Sequence, residues 1–298
     1  MPVLIDYSQV ALSTIFQFQK DLKKNSSNNE AVNIIRHAVL SGIKFYNKKY
    51  KDAYGDLILA CDGKNYWRKD IFPYYKANRK TARQKSDLDW HLIFDTISTI
   101  KDEISENFPY KVICVDRAEA DDIIAVLCKW YQQHETIDMG VFEELQPILI
   151  ISSDGDFKQL QKYSNVKQWS PIQKKFIVCE NAKSFLNEHI AKAGDDGIPN
   201  VLSPDDVFVD ENARQTKMMK TRLQQFIKLG RDACQNDEQL KNWDRNNNLI
   251  NLDLIPEDVV SSIINSYKES KPKGNKMTIF NYLVKNKCRL LLNDIEEF

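Results

Sequence analysis

Four short apolar runs, at residues 3–5, 57–61, 111–115 and 148–152, constrain this chain more than any other feature. Each is β-rich, too short for a helix and almost wholly apolar, the pattern of a strand buried on both faces. Helical spacing lies between them. Residues 30–50 carry Ala31, Ile34, Ile35, Ala38, Ile43 and Phe45; residues 91–104 carry Leu92, Ile93, Ile97 and Ile100; residues 119–131 carry Ile123, Ile124, Val126, Leu127 and Trp130. Strand and helix alternate, which predicts an α/β domain over residues 1–180 with a mostly parallel central sheet flanked by helices.

Strand signals then stop, and residues 181–298 read as a helical region. "ENAKSFLNEHIAKAGDDGIPNVLSPDDVF" predicts a helix, a glycine-proline hairpin, and a second helix starting at Ser203 with Pro204 at its first position. Further helices are expected near residues 217–234, 256–268 and 276–292. The asparagine-rich "DRNNNLINLD" is expected to be a loop.

Every predicted strand ends in acid. "VLID" ends at Asp6 and "LILACD" at Asp62; "ICVDRAEADD" brings Glu119, Asp121 and Asp122 into a helix start; "IISSDGD" carries Asp154 and Asp156. Function in an open α/β sheet collects beyond the carboxyl ends of its strands, so these acids should converge on one cleft. Two carboxylates about 4 Å apart repel by roughly 4 kcal/mol at an effective dielectric of 20. They must protonate, separate or bind metal. An all-oxygen donor set without His or Cys selects a hard cation, Mg²⁺ or Mn²⁺. Single acids have blander explanations: "EADD" suits a helix dipole, Asp6 suits a cap, and "SDGD" suits a turn. Specificity lies in the set.

The four histidines and six cysteines form no metal-binding spacing, so zinc is not expected and buried free thiols are. Net charge is zero, with 42 basic and 42 acidic residues, but the charge is segregated. Residues 64–85 hold eight cations against Asp70; residues 213–231 hold six against none; residues 268–289 hold seven against Glu269. Three basic blocks beside an acidic centre suggest a polyanion surface. No apolar run approaches a membrane span, and the chain begins in a strand with no signal-like segment, so an intracellular, non-membrane protein is expected.

The motifs "LIDYSQVALST", "CDGKNYWRKDIFPYYKANRK", "EADDIIAVL", "ISSDGDFKQL", "NVKQWSP" and "GDDGIPNV" together resemble the flap endonuclease, or 5′-nuclease, family in its T-even bacteriophage ribonuclease H branch. The resemblance runs in order along nearly the whole chain. It implies a PIN-like nuclease domain, a basic arch or bridge over about residues 64–90, and a C-terminal region with a helix-hairpin DNA-binding element. It implies metal ligands at Asp6, Asp62, Glu119, Asp121, Asp122, Asp154, Asp156 and Asp196, with two Mg²⁺ ions for which Mn²⁺ can substitute. Adjacent Asp195 and Asp196 depart from the family spacing, which leaves open which one is the hairpin ligand.

The resemblance also implies catalytic cations at Arg68, Lys76 and Arg79, the last two sharing a helical face. Contacts to nucleic acid are implied for Tyr75, Lys80, Arg83, Gly194, Gly197, Lys217 and Lys220, with Tyr74 a second stacking ring. The implied activity is a structure-specific 5′ to 3′ exonuclease and flap endonuclease. Its substrates are RNA or DNA annealed to DNA, in forked, flap or nicked form, and its task is removal of primers and flaps during phage replication in the host cytoplasm. A monomer is expected, with the phage single-stranded-DNA-binding protein as a partner through the C-terminal helices. No clamp contact is expected, because the chain starts at the first strand. Two rivals remain: a Mg²⁺ phosphatase or phosphotransfer domain, which wants an aspartyl nucleophile motif that "DYSQ" lacks, and a DNA-binding relative without catalysis.

Overall fold

The computed structural model describes residues 2–20, 22, 27–77, 79, 83, 86–134, 136–138, 143–210 and 212–298, with only the backbone at 136–138 and 143–144. The predicted runs form β1 (Pro2–Asp6), β2 (Asp56–Cys61), β3 (Lys111–Cys114) and β6 (Ile148–Ile151). They are parallel neighbours in one six-stranded sheet, in the order β3-β2-β1-β6. Sheet order reverses around β1, so the crevice beyond its carboxyl end lies at a topological switch point.

The apolar runs are continuous because each strand feeds two cores. Val3 and Ile5 pack on one side with Leu57, Leu59, Leu149 and Ile151. Leu4 packs on the other with Ile58, Ala60, Ile148 and Ile150. The first side is covered by α1 (Tyr7–Ile15), α2 (Asn28–Tyr54) and α4 (Trp90–Asn107), the second by α5 (Ala120–His134). Between β2 and α4 lies α3 (Arg68–Ile71).

Several elements depart from the sequence reading. Strands β7 (Val166–Ser170), parallel to β6, and β8 (Lys175–Ile177), antiparallel to β7, extend the sheet. A two-stranded β4–β5 pair (Thr136–Asp138, Glu143–Leu145) also forms. The β7 pattern alternates buried and exposed residues, since only one face is fully covered, and an apolar-run search misses it. Cys114 is exposed, against the expected buried thiol, because β3 is the sheet's edge; all six cysteines are free.

In the C-terminal half, α6 (Ala182–Lys192) and α7 (Lys220–Leu229) flank the hairpin. The helix expected at Ser203 does not form. The Asn200 side chain accepts from Leu202 N and Ser203 Oγ, and Ser203 Oγ accepts from Thr216 N, which stitches the segment into turns. Most of the asparagine-rich stretch is no loop either: residues 244–250 lie in α8 (Asp237–Ile250), and only 251–253 lie beyond its end. Its polar side chains are buried with purpose. Asn242 donates to the Val201 and Ser203 carbonyls, and Asn246 to those of Ile190 and Pro199. Buried carbonyls of an irregular segment need such donors. The last helices, α9 (Glu257–Glu269) and α10 (Lys276–Lys285), pack back onto the two cores of the sheet.

Candidate metal centre and its cationic rim

At the carboxyl end of β1, Asp6 caps α1, accepting from Gln9 N at 3.1 Å and from Ser152 Oγ at 3.0 Å. Asp62 accepts from Ser8 Oγ at 2.9 Å and from Ala120 N at 3.0 Å, which ties β2 to the start of α5. Gly63 allows this approach, because a Cβ there would stand 1.9 Å from the Val115 carbonyl oxygen. Beyond β6, Asp154 accepts from the Asp156 backbone at 2.9 Å, and Asp156 pairs with His189 Nε2 at 2.7 Å. Backbone caps and turns thus aim acids from three strands and a helix into one crevice.

These acids feel one another. Burial and then the Asp62 charge push Asp6 up to about 7. Burial and then Asp156 push Asp154 up to about 6. Asp121 lies well above the ordinary carboxylate range, from burial and then the Asp154 and Asp6 charges. Burial opposes charge on His189, yet the hydrogen bond it donates to Asp156 holds its pKa above the usual imidazole value. A cavity of about 420 Å³ opens beside them, lined by Arg79, Asp154, Asp156, His189, Asp195 and Asp196.

Cations close the other side. Lys76 pairs with Glu119 and lies 3.4 Å from Asp196, which also pairs with Arg79. Asp196 has φ 55° and Gly194 and Gly197 have φ 100° and 75°, so the hairpin turns through left-handed backbone to present these groups. Among the described residues, no group of three His, Cys, Asp or Glu side chains closes around one ion-sized position. The carboxylates spread along the crevice and take ammonium, guanidinium, hydroxyl and amide donors instead. The donor set near Asp6, Asp62, Asp121 and Asp154 is all oxygen, which fits a hard divalent ion.

The structure corrects four sequence expectations. Arg68 is 3% exposed and faces the interior. It donates to Leu249 O, Glu119 and both oxygens of Asp122, so its role is structural neutralisation. Asp122 is fully buried, and its oxygens accept from Arg68, Trp67 Nε1 and Glu119 N, which ties the carboxylate into the interior. Tyr75 is buried, with its hydroxyl on Glu119 and Asp196, and cannot stack on a base; Tyr74 is exposed. Lys76 and Arg79 share no helical face, since Lys76 has φ 60°; Asp196 brings them together.

Lys80 lies outside the described residues. Arg83 stacks 4.5 Å over Phe94, and Lys217 and Lys220 are exposed ahead of and at the start of α7. Sequence reasoning missed His189. Its signal was a helical histidine five residues before Gly194, within one turn of the hairpin.

Residues 1–190 match the family described as 5'-3' exonuclease, N-terminal resolvase-like domain, and residues 185–298 match T4 RNase H, C terminal. Ribonuclease H of Enterobacteria phage T4 is 36% identical over 307 residues, covering 99% of this chain and 95% of that protein. Flap endonuclease Xni of Shewanella pealeana is 28% identical over 45% of this chain and 48% of its own length. The solved structure of phage T5 5'-exonuclease with bound zinc shares the fold, with a TM-score of 0.57 at 16% identity, covering 91% of this chain and 98% of that one. No helix among the described residues is long and apolar enough to cross a membrane. With its N-terminal two thirds matched to one family and the T4 relative aligned end to end, the chain belongs to the 5'-3' exonuclease family and is a 5′ nuclease.

Proposed function

We propose that this protein is a Mg²⁺-dependent 5′ to 3′ exonuclease and flap endonuclease that cleaves RNA or DNA annealed to DNA by a two-metal mechanism. The observation that carries the reading is the crowding of Asp6, Asp121 and Asp154, whose carboxyls are held above their ordinary pKa values by burial and mutual repulsion. Such a group gains most from a divalent cation. The ions, when bound, supply hydroxide at neutral pH and relieve charge on the attacked phosphate and the leaving 3′ oxygen. Asp6, Asp62, Asp121 and Asp154 would hold one ion, Asp156 and Asp196, with Asp195 beside them, would hold a second, and Mn²⁺ would serve in place of Mg²⁺.

Lys76 and Arg79 then turn from Asp196 to the scissile phosphate, adding positive charge where negative charge grows. Glu119 holds Lys76 in reach. The hairpin at Gly194 and Gly197, with Lys217 and Lys220, grips duplex phosphates without reading sequence. Residues 1–180 form the nuclease unit, with the arch over about 64–90, and 181–298 the duplex-binding unit. The biological task is removal of RNA primers and 5′ flaps in phage replication within the host cytoplasm. The protein works as a monomer, with the phage single-stranded-DNA-binding protein meeting the C-terminal helices.

A 5′-labelled flap substrate incubated with Mg²⁺ or EDTA tests the reading by product length. Mg²⁺-dependent short products are expected, and Asp154→Asn should abolish them while duplex binding persists. Cleavage retained by Asp154→Asn would sink the assignment. A phosphatase would instead release inorganic phosphate from small monoesters.

A further inference from the structure

Beside the acidic crevice lies a second cationic surface that the proposed mechanism does not use. Residues 163–178 carry three lysines and no acid. Within them β7 places Lys167 and Trp169 on one face of the sheet, and β8 places Phe176 opposite Trp169 with ring centroids 5.0 Å apart. On the neighbouring α2, Lys49 sets its ammonium 4.0 Å from the Trp169 ring centre, and Phe45 stands half exposed beside it. Phe176 is 43% exposed and Val178 79% exposed. Among the described residues, Lys49, Lys167 and Lys174 have no acidic partner within ion-pair distance.

The strand that carries this surface is bonded to the segment that carries Asp154. The Trp169 carbonyl accepts from Ser152 N, and the Gln168 amide donates to the Ser152 and Asp154 carbonyls. Ser153 Oγ bonds both Ser170 Oγ and Ile172 N, fixing the β7–β8 turn against the Asp154 segment. Beyond β8 the sheet has no further strand among the described residues, so the β8 edge is left unpaired.

We propose that this β7–β8 and α2 face binds a single-stranded stretch of nucleic acid adjoining the acidic crevice. The proposal rests on the nuclease reading for its substrate and adds where an unpaired strand lies. Unpaired cations suit a phosphate backbone, and exposed rings in a shallow surface stack bases without selecting among them. Lys49, Lys167 and Lys174 supply the charge. Phe176 supplies the platform, and Trp169 beneath it makes binding visible in tryptophan emission.

The test measures binding of a fluorescein-labelled thymidine oligonucleotide by anisotropy in EDTA across a salt series. The Lys167→Glu/Lys174→Glu double variant and Phe176→Ala are compared with the unaltered protein, with melting curves confirming that each stays folded. Each lysine that meets a phosphate should lower the salt slope by about 0.7 when removed. Phe176→Ala should weaken binding about tenfold, the scale of one lost base stack. Unchanged affinity and slope in both variants overturn the proposal, as does lysine-dependent capture of oligoglutamate without capture of the oligonucleotide. The same preparations are given a nicked duplex with Mg²⁺. Failure of the unaltered protein to cut sinks the nuclease reading alone; normal cutting with unchanged oligonucleotide binding in the variants sinks only this surface.

Discussion

Replacing Arg68 with methionine removes the cation that holds Asp122 in the core. Arg68 spends its guanidinium on Asp122 at 2.8 and 3.0 Å, on Glu119 at 2.8 Å and on Leu249 O at 2.8 Å. In the variant, Glu119 keeps Lys76 and Tyr75. Asp122 keeps only Trp67 and a backbone amide, with no access to water. Leaving one partner of a buried pair uncompensated costs about 3–5 kcal/mol. For a chain of this size each kcal/mol moves the melting temperature by about 2–4 °C, so a fall of about 6–20 °C is expected. Circular dichroism melts in EDTA measure it without metal contributing. Adding Asp122→Asn to Arg68→Met should restore part of the loss, because the amide oxygen still accepts from Trp67 Nε1 and the Glu119 amide while the uncompensated buried charge is gone. An Arg68→Met melt indistinguishable from the unaltered protein, or a double variant no better than the single, refutes the assignment of Arg68 and Asp122 as a structural pair.

Four further outcomes follow from the same geometry. Asp6 and Asp154 hold protons up to about pH 7 and about pH 6 in the folded chain, against about 3.9 when unfolded. Between about pH 4 and 7 the folded state therefore binds more protons, and these groups lower stability as pH rises through that window. In EDTA, Asp6→Asn should melt above the unaltered protein at pH 8 and lose that advantage at pH 4; a lower melting point at pH 8 contradicts the crowding argument. Divalent ions should raise the unaltered protein's melting temperature more at pH 8 than at pH 5. His189→Ala frees Asp156 from its anchor, and flap cleavage should fall about 10–100-fold, as for other groups that orient a metal-binding side chain; an unaltered rate at saturating Mg²⁺ dismisses His189. Asn246→Ala strands the Ile190 carbonyl, while that of Pro199 keeps Arg245, and should cost about 1–3 kcal/mol in urea unfolding, without changing the cleavage pattern of the folded fraction.

The amino-acid sequence by itself determined the layered α/β sheet, because a strand covered on both faces must be apolar at every position, as at Val3, Leu4 and Ile5. It also placed Asp6, Asp62 and Asp154, since the strands that carry them end where their apolar runs end. It said less wherever polar side chains meet polar backbone across the fold. Asn242 and Asn246 look like loop residues until the carbonyls of residues 190–203 are seen around them. Only the tertiary structure decided which charges face the crevice and which neutralise one another inside. Glu119 and Asp122 sit three residues apart in one acidic run, yet Arg68, more than fifty residues earlier in the sequence, takes Asp122 wholly into the core. The physical reason is that a strand's hydrophobic pattern is local, whereas a carboxylate's role depends on the cation it meets, and that partner arrives through folding.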